Sequence, residues 1–249
     1  MTARTVAIVQ ARMGSTRLPG KVMLPLLGEP VLSLVMRRAA RARTLDAVVV
    51  ATTTLPDDDA VVALAKREGW PVVRGSETDL LDRYLVAARA HDAKVVVRIT
   101  SDCPLIDPDV IDGTVDAFRA ADVDYASNTL EPPTYPRGLD VEVVSRSALE
   151  RADREDTEPA WREHATPFVY RHPELFRLLR VPADDDHSDL RWTLDTPEDY
   201  RLISRIYEAL GHDDFGWREV LAVVEANPSW AALTDGVVQK TVPPAIGPA

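Results

Sequence analysis

The sequence has almost no cysteine and no long apolar segment. Cys103 is the single cysteine in 249 residues, so an intrachain disulfide and a cysteine-based zinc cluster are both excluded. No apolar run approaches the ~20 residues of a membrane-spanning helix. The opening residues, "MTARTVAIVQ", lack the long apolar region and the cleavage site of a secretory signal. These absences predict a cytoplasmic protein with no membrane partner.

Positive charge is also scarce, and it is unevenly placed. The chain has 29 Lys and Arg against 40 Asp and Glu, a net charge of -11, which argues against nucleic acid as a partner. The first 43 residues nevertheless contain eight basic residues and one acid, so this segment carries +7 and the remainder -18. Within it, Arg12, Arg17 and Lys21 lie in a glycine-containing loop, where an anionic ligand explains them better than a solvated helix face does.

That loop, "ARMGSTRLPGK", lacks the features of a P-loop. Five residues separate Gly14 from Gly20, one more than the P-loop pattern has, and Val22 follows Lys21 where the pattern requires Ser or Thr. The magnesium-binding hydroxyl is therefore missing from its place. The side-chain cations and backbone amides of the loop remain available to bind a polyphosphate.

Apolar, strand-like runs alternate with amphipathic helical segments through the first half of the chain. The predicted strands span residues 5–10, 47–53, 70–75 and 94–100, and the predicted helices span residues 30–42, 57–69, 77–92 and 107–121. Asp107 is the expected N-cap of the last helix, with Pro108 in its first turn. Single helices between strands predict an α/β fold with a mostly parallel sheet covered by helices, and ligands bind at the carboxyl ends of such strands.

The pattern changes near residue 125. Leu139, Val141 and Val143 alternate with acidic residues, which predicts a half-buried strand in a small antiparallel excursion. Further helices are predicted over residues 147–154 and 161–172, and another begins with Thr196 as its N-cap. We expect a single domain over residues 1–240, with its two halves meeting near residue 122, and a disordered tail over residues 241–249.

Acidic residues follow several apolar runs. Asp102 comes after the strand that ends at residue 100, and Asp195 follows the run "LRWTL", which we also interpret as a strand. Asp140 and Glu142 share one face of the strand predicted over residues 139–143. Carboxylates hold Mg²⁺, which bridges phosphate oxygens and offsets charge in the transition state. A basic loop with such acids predicts a polyphosphate site. Taken alone, Asp195 could equally belong to the start of the helix at Thr196.

Six segments in register resemble one enzyme family. They are "VAIVQARMGSTRLPGKVMLPLLGEPVL", "VVRGSETDLLDRYLVAA", "VVRITSDCPLIDP", "TYPRGLDVEVVS", "REHATPFVY" and "RWTLDTPEDYRLI". Together they resemble the cytidylyltransferases of the spore-coat polysaccharide biosynthesis type and, more distantly, the 3-deoxy-manno-octulosonate and acylneuraminate cytidylyltransferases. The resemblance implies a nucleotide-diphospho-sugar transferase (GT-A-like, Rossmann-like) fold. It also implies an enzyme that uses CTP and Mg²⁺ to join CMP to an acceptor oxygen, releasing pyrophosphate.

The resemblance assigns roles to individual positions. Arg12, Lys21 and Asp102 match catalytic positions, and Asp102 and Asp195 match the metal-binding acids. Binding of CTP is implied for Gln10, Ala11, Gly14, Ser15, Arg17, Thr52, Thr53, Gly75 and Ser76. These assignments place the nucleotide on the half formed by residues 1–122.

The half formed by residues 123–240 is left for the acceptor and for dimerisation. Arg137, Asp140 and Glu142 are the expected acceptor residues, with an exposed turn cation as the alternative for Arg137 and assistance to a metal as the alternative for Asp140 and Glu142. The expected acceptor is an anionic sugar acid, sugar or polyol phosphate, or phosphonate. Relatives pair through residues 125–170, so a homodimer is expected. We interpret His164 as a helical residue hydrogen-bonded within the fold or at the dimer interface, and Cys103 as a small buried side chain.

Two other functions are compatible with the fold. Uridylyl- and guanylyltransferases begin with a "GGxGTR" loop, whereas Gln10, Ala11 and Arg12 stand in place of its leading glycines here, which favours cytosine. A non-catalytic nucleotide-binding protein would be indicated by loss of Lys21 or of either metal-binding acid, and all three residues are present.

Overall fold

Nine strands and nine helices make up the part of the chain that a computed structural model describes, residues 3–239. The strands are β1 (Thr5–Gln10), β2 (Pro25–Leu26), β3 (Glu29–Pro30), β4 (Ala47–Thr53), β5 (Val72–Gly75), β6 (Val95–Thr100), β7 (Tyr125–Ser127), β8 (Glu142–Ser145) and β9 (Leu178–Arg180). The helices are α1 (Val31–Ala39), α2 (Asp59–Glu68), α3 (Leu80–Ala90), α4 (Pro108–Ala120), α5 (Arg146–Glu155), α6 (Pro159–Arg162), α7 (Pro167–Arg171), α8 (Pro197–Leu210) and α9 (Trp217–Glu225). Short 3-10 helices lie at Lys21–Met23, Pro56–Asp58 and Pro228–Leu233.

Seven strands form one mixed sheet in the order β5-β4-β1-β6-β8-β7-β9. Strands β5, β4, β1 and β6 are mutually parallel, β8 runs antiparallel to both β6 and β7, and β7 is parallel to β9. Strands β2 and β3 form a separate two-stranded antiparallel sheet. The predicted mostly parallel sheet and its antiparallel excursion are both confirmed.

The sheet is covered on both faces because alternate residues of each central strand enter different cores. In β1, Val6 and Ile8 pack into one core with α3 and α5, whereas Ala7 and Val9 pack into the other. Burial on both faces explains why these strands are continuous apolar runs in the sequence. No helix within residues 3–239 is long and apolar enough to cross a membrane. The predicted tail, residues 241–249, lies outside the described residues.

The two predicted helix starts are confirmed. The Asp107 carboxylate accepts hydrogen bonds from the backbone N–H groups of Asp109 and Val110 at 2.7 and 3.2 Å, which caps α4. Thr196 caps α8 in a capping box, in which its hydroxyl accepts from the N–H of Asp199. Short polar side chains ahead of a first-turn proline were therefore reliable signals.

The prediction of a half-buried strand over residues 139–143 is wrong. Strand β8 begins only at Glu142, and both Glu142 and Val143 are buried, with 7% and 0% of their surface exposed. The acidic side chain is tolerated inside because Arg98 pairs with it and Tyr125 donates to it.

The prediction of one helix over residues 161–172 is also wrong. Helices α6 and α7 are separated by residues 163–166, where Ala165 has a φ of 68°. A residue in the left-handed region cannot continue a right-handed helix. His164 therefore lies in a turn.

Asp195 does not follow a strand, contrary to expectation. Around it the structure has one isolated bridge, between Arg137 and Arg191. The segment is fixed instead by the N–H of Leu194, which donates to the carbonyl of Asp102 at 2.7 Å. This hydrogen bond ties the residue before Asp195 to the backbone of Asp102.

Gly138 permits close packing between the loop that carries Asp140 and the segment that leads to Asp195. Its φ is 107°, and a Cβ added there would lie 2.5 Å from the carbonyl carbon of Trp192. No other residue type fits this position without displacing backbone. The N–H of Trp192 also donates to the carbonyl of Arg137 at 2.7 Å, so the two segments are tied together.

Replacing Gly138 by alanine should therefore destabilise the protein strongly. We expect Gly138→Ala to lower the free energy of unfolding by at least about 2 kcal/mol, since it combines backbone strain with a clash against main-chain atoms. Gly113→Ala is the matched control, because Gly113 lies within α4 with no atom near a new Cβ, and it should stabilise by about 0.5–1 kcal/mol. Urea denaturation measures both, and equal effects of the two substitutions would contradict the packing argument.

Candidate active site

A cleft of about 920 Å³ opens at the carboxyl ends of β1 and β6. Its walls are formed by the loop after β1, the start of α3, the turn after β6 and the segments around residues 129–142 and 163–171. Most of the predicted site residues line it together: Gln10, Ala11, Arg12, Gly14, Ser15, Arg17, Lys21, Asp102, Arg137, Asp140, Glu142 and Asp195. The position agrees with the rule that ligands bind at the carboxyl edge of a parallel sheet.

The loop after β1 is closed by hydrogen bonds at both ends. The N–H of Met13 donates to Asp58 at 2.6 Å, and the N–H of Gly20 donates to the carbonyl of Met13 at 3.0 Å. Gly20 itself has a φ of 67°, which turns the chain directly into the short helix that begins at Lys21. The Ser15 hydroxyl accepts from the N–H of Leu18 at 3.3 Å. The sequence thus folds locally into a compact loop that directs Lys21 into the cleft.

Lys21 bridges the two acids predicted to bind metal. Its Nζ lies 2.7 Å from Oδ2 of Asp102 and 3.0 Å from Oδ1 of Asp195. Burial opposes the charge on Lys21, but the two carboxylates more than offset it and raise the pKa of this lysine. Burial likewise disfavours the charge on Asp102, and the ammonium of Lys21 reverses this and lowers the pKa of the carboxyl. Both groups are charged at neutral pH.

Asp195 is held by two arginines as well. Nη2 of Arg17 lies 3.1 Å from Oδ2 of Asp195, and Nη2 of Arg191 lies 3.0 Å from the same atom. Arg191 also donates to both carboxylate oxygens of Asp199, at 2.8 and 3.0 Å. Arg191 was not among the site residues predicted from the sequence. Arg191, Asp195 and Asp199 are spaced four residues apart, and this spacing of one arginine and two acids was the signal in the sequence.

Arg12 stands at the mouth of the cleft. Its Nη2 lies 3.8 Å from Oε1 of Glu163 on the opposite wall, and both side chains are substantially exposed, at 45% and 57%. Such an exposed pair is weak in water, so Arg12 can exchange Glu163 for a phosphate at little cost.

The floor of the cleft contains a buried ion pair between Arg98 and Glu142 that was not predicted from the sequence. Arg98 pairs with Oε1 of Glu142, while Oε2 accepts from the hydroxyls of Tyr125 at 2.7 Å and Thr166 at 2.5 Å. Both oxygens of Glu142 are therefore engaged within the protein. Glu142 lines the cleft as predicted, but its hydrogen bonds serve the fold.

The other predicted acceptor residues are better placed to meet a ligand. Arg137 is exposed at the edge of the cleft. Asp140 accepts from the N–H of Gly138 at 3.1 Å, and burial raises the pKa of its carboxyl although Arg137 opposes this.

His164 and Cys103 differ in their access to the cleft. His164 lines it, in the turn between α6 and α7, and burial lowers the pKa of its imidazole. Cys103 is buried, as the sequence predicts, and burial raises the pKa of its thiol. A protonated, enclosed thiol is a poor nucleophile.

Four predicted nucleotide-binding residues do not line the cleft. Thr52 and Thr53 are fully buried in β4, where the Thr53 hydroxyl donates to Asp58. Ser76 accepts from the N–H of Asp79 at 3.0 Å, and Gly75 leaves room for Arg83, whose Cγ would lie 3.0 Å from a Cβ at that position. These residues shape the wall behind the cleft.

The acid pair suits a divalent cation. Two carboxylates already converge on one cation, the ammonium of Lys21, at hydrogen-bond distance. Residues 3–239 contain no group of three or more His, Cys, Asp or Glu side chains that could hold a metal ion. Mg²⁺ is commonly bound by one or two carboxylates together with substrate phosphates, so Asp102 and Asp195 fit it when a polyphosphate supplies the remaining ligands.

The Lys21 bridge should give stability a characteristic pH dependence. Because the pKa of Asp102 is lowered by folding, its contribution is present above its unfolded pKa of about 4 and is lost as pH falls through the folded value. Because the pKa of Lys21 is raised, its contribution is present below about pH 10 and is lost as pH rises through the folded value.

We expect Lys21→Met to lower the free energy of unfolding by about 2 kcal/mol at pH 7, less than for a fully buried pair because the cleft is open to water. The difference from wild type should shrink as pH falls below about 4, where Asp102 of the variant is protonated. Lys94→Met is the control, because Lys94 pairs with Asp92 at the surface and should change stability by less than about 0.5 kcal/mol. Denaturation at pH 7 and pH 3 tests this, and a pH-independent difference would contradict it.

Comparison with known proteins assigns the chain to a family. A family model described as cytidylyltransferase matches residues 6–225. The spore coat polysaccharide biosynthesis protein SpsF of Bacillus subtilis is 34% identical over 234 residues, which is 90% of this chain and 95% of that protein. A cytidylyltransferase structure from Leptospira borgpetersenii superposes with a TM-score of 0.89 at 34% identity, over 96% of this chain and 100% of that one.

A more distant structure shares the fold alone. The CMP:2-keto-3-deoxy-manno-octonic acid synthetase complexed with CTP has a TM-score of 0.63 at 20% identity, over 84% of this chain and 100% of that one. The sheet order, the position of the cleft and the match over residues 6–225 agree with one another. The chain belongs to the cytidylyltransferase family and is a nucleotidyltransferase.

Proposed function

We propose that the protein transfers CMP from CTP to an anionic acceptor, with Mg²⁺ and release of pyrophosphate. The observation that carries the proposal is the bridge in which Lys21, at the end of a basic loop, contacts Asp102 and Asp195 at 2.7 and 3.0 Å. Reactions at the phosphates of a nucleoside triphosphate need a cation and a bound metal ion close to those phosphates. The lysine and the two carboxylates can supply both at one point. The CTP in the structure of the distant synthetase supports the choice of nucleotide.

The reaction is an in-line displacement at the α-phosphorus of CTP. A bond forms from the acceptor oxygen to this phosphorus, and the bond to the oxygen that leads to the β-phosphate breaks. Pyrophosphate leaves with the electron pair of that bond. Arg12 and Lys21 stabilise the negative charge that develops on the leaving group, while Arg17 and the amides of the loop bind the other phosphate oxygens.

The acid pair holds the metal in this proposal. Mg²⁺ bound by Asp102 and Asp195 would neutralise phosphate charge and orient the α-phosphate. Before the nucleotide arrives, Lys21 supplies the compensating positive charge, which prevents repulsion between the two carboxylates. The site is therefore preorganised by its own lysine.

The acceptor belongs on the opposite wall, near Arg137 and Asp140. The exposed guanidinium of Arg137 suits a carboxylate, phosphate or phosphonate group. The raised pKa of Asp140 suits proton acceptance when the attacking atom is a hydroxyl oxygen, whereas an ionised phosphate needs no base. Sugar acids, sugar or polyol phosphates and phosphonates all remain within this class.

Release of pyrophosphate tests the proposal directly. We expect CTP, in preference to UTP, GTP and ATP, to release pyrophosphate with Mg²⁺ and one acceptor from a panel of sugar acids, sugar and polyol phosphates and phosphonates. Asp102→Ala should reduce the rate by at least about 100-fold, because several kcal/mol of transition-state stabilisation depend on the metal.

Asp189→Ala serves as the control, since Asp189 is exposed and does not line the cleft. Its rate should equal that of wild type. Failure of all four nucleotides to release pyrophosphate with any acceptor, together with no binding of CTP by calorimetry, would refute the proposal. The homodimer, the cytoplasmic location and the single domain over residues 1–240 stay predictions, and analytical ultracentrifugation tests the first.

A further inference from the structure

Arg98, on the floor of the cleft, has more hydrogen-bond donors than the surrounding residues use. It lies on β6 and lines the cleft, with 13% of its side chain exposed. Its Nη1 donates to Oε1 of Glu142, and within residues 3–239 this is the one hydrogen bond that the guanidinium makes. A guanidinium has several N–H donors and no acceptor, so most of the donors of Arg98 are left over.

The unused donors lie along one edge of the guanidinium. Nε is buried and has no hydrogen-bond partner in the described part of the chain. Nη2 has none there either, and it reaches the surface of the cleft. The N–H groups of Nε and Nη2 form the planar fork that binds two oxygens of one oxyanion. A buried N–H without an acceptor is costly, so this edge suits a ligand that supplies acceptors.

The pairing of Arg98 with Glu142 leaves room for a second anion. The Glu142 carboxylate accepts from three donors, namely Arg98 and the hydroxyls of Tyr125 and Thr166. These contacts hold the carboxylate on the far side of the guanidinium from the unused edge. An oxyanion can therefore bind Nε and Nη2 without displacing Glu142.

The unused edge belongs to the acceptor side of the cleft. Strand β6 lies between β1 and β8, and Arg98 is in register with Glu142 of β8. Burial lowers the pKa of the His164 imidazole, and the nearby charge of Arg98 lowers it further, so the turn between α6 and α7 also faces Arg98. The basic loop follows β1, on the other side of β6. A ligand group bound at Arg98 is thus separate from the phosphates bound at the loop.

The charges around Arg98 favour a singly charged anion. Asp140 and Glu142 both line the cleft. Burial raises the pKa of the Asp140 carboxyl, and the negative charges of Asp102 and Glu142 add to this. Further negative charge is therefore opposed here, and a carboxylate meets less repulsion than a doubly charged phosphate does.

We propose that the Nε–Nη2 edge of Arg98 binds the carboxylate of the acceptor, which makes the acceptor a sugar acid. The inference rests on the proposed function, because it presupposes an acceptor in this cleft. The carboxylate supplies Nε with the partner that it lacks and fixes the acceptor on the floor. Arg137, at the exposed edge of the cleft, contributes less because water and salt screen its charge.

Calorimetric titration of sugar acids into the protein tests the inference. The protein is saturated with MgCl₂ and CDP, which has no pyrophosphate to release. The probes are 3-deoxy-manno-octulosonate, N-acetylneuraminate and D-gluconate, the methyl ester of each, glucose 1-phosphate and mannitol 1-phosphate. Wild type should bind one acid at least about tenfold more tightly than its ester, since the ester lacks the charge that the fork binds. It should bind that acid more tightly than either phosphate.

Arg98→Lys separates binding from folding. The lysine keeps a positive charge for Glu142 but has no fork. The variant should bind the acid at least about tenfold more weakly and the ester with unchanged affinity, so that the two affinities become similar. Its affinity for CTP with MgCl₂ should equal that of wild type. A purely structural effect would weaken the acid and the ester equally.

Arg38→Lys is the matched control. Arg38 is fully buried and does not line the cleft, and it donates to the carbonyls of Ile106 and Phe215 at 2.8 and 3.0 Å. This substitution should lower stability without changing the ratio of the acid and ester affinities.

A crystal structure of wild type with CDP and the bound acid gives a second test should Arg98→Lys fail to fold, as judged by circular dichroism. The carboxylate should lie against Nε and Nη2 of Arg98. A carboxylate bound at Arg137 instead, or an unchanged ratio in folded Arg98→Lys, would overturn the inference.

Two results with wild type alone would also overturn it. They are tighter binding of a phosphate than of every acid, and no binding of any acid by a protein that binds CTP. Both leave the proposed function intact. Absence of CTP binding to wild type would instead overturn the proposed function, and the inference with it.

Discussion

The contact of Lys21 with Asp102 and Asp195 is the interaction on which the site depends. Two carboxylates at one point repel each other unless a cation lies between them, and the loop after β1 delivers that cation. The three residues come from widely separated parts of the chain, so the contact also joins the loop, the turn after β6 and the segment before α8. The same three charged side chains therefore form the centre of the site and hold these parts of the chain together.

The fold was predictable wherever the signal was local. Residues 6–9 of β1 and residues 95–97 of β6 are continuous apolar runs because both faces of the sheet are buried. The caps at Asp107 and Thr196 involve backbone N–H groups only two or three residues away. The basic loop was also visible as a cluster in the sequence. Predictions of this kind need no knowledge of distant partners.

Predictions were wrong where long-range contacts decide the environment of a residue. Glu142 alternates with apolar residues as an exposed side chain would, yet its partner Arg98 lies 44 residues away and draws it inside. Asp195 was expected after a strand, but its segment is fixed by a hydrogen bond from Leu194 to Asp102. Ala165 breaks the expected helix through a left-handed conformation that its residue type disfavours. None of these features has a local pattern.

Gly138 has a consequence for how the cleft can move. Because its backbone lies directly against that of Trp192, and the N–H of Trp192 donates to the carbonyl of Arg137, the loop around Arg137 and the segment before Asp195 are packed as one unit. A change in the width of the cleft then involves the loop after β1, which is held by the hydrogen bond from Met13 to Asp58 and by the ion pairs of Arg17 and Lys21. A ligand that widened the cleft would therefore displace this loop, while the loop around Arg137 and the segment before Asp195 kept their relative position.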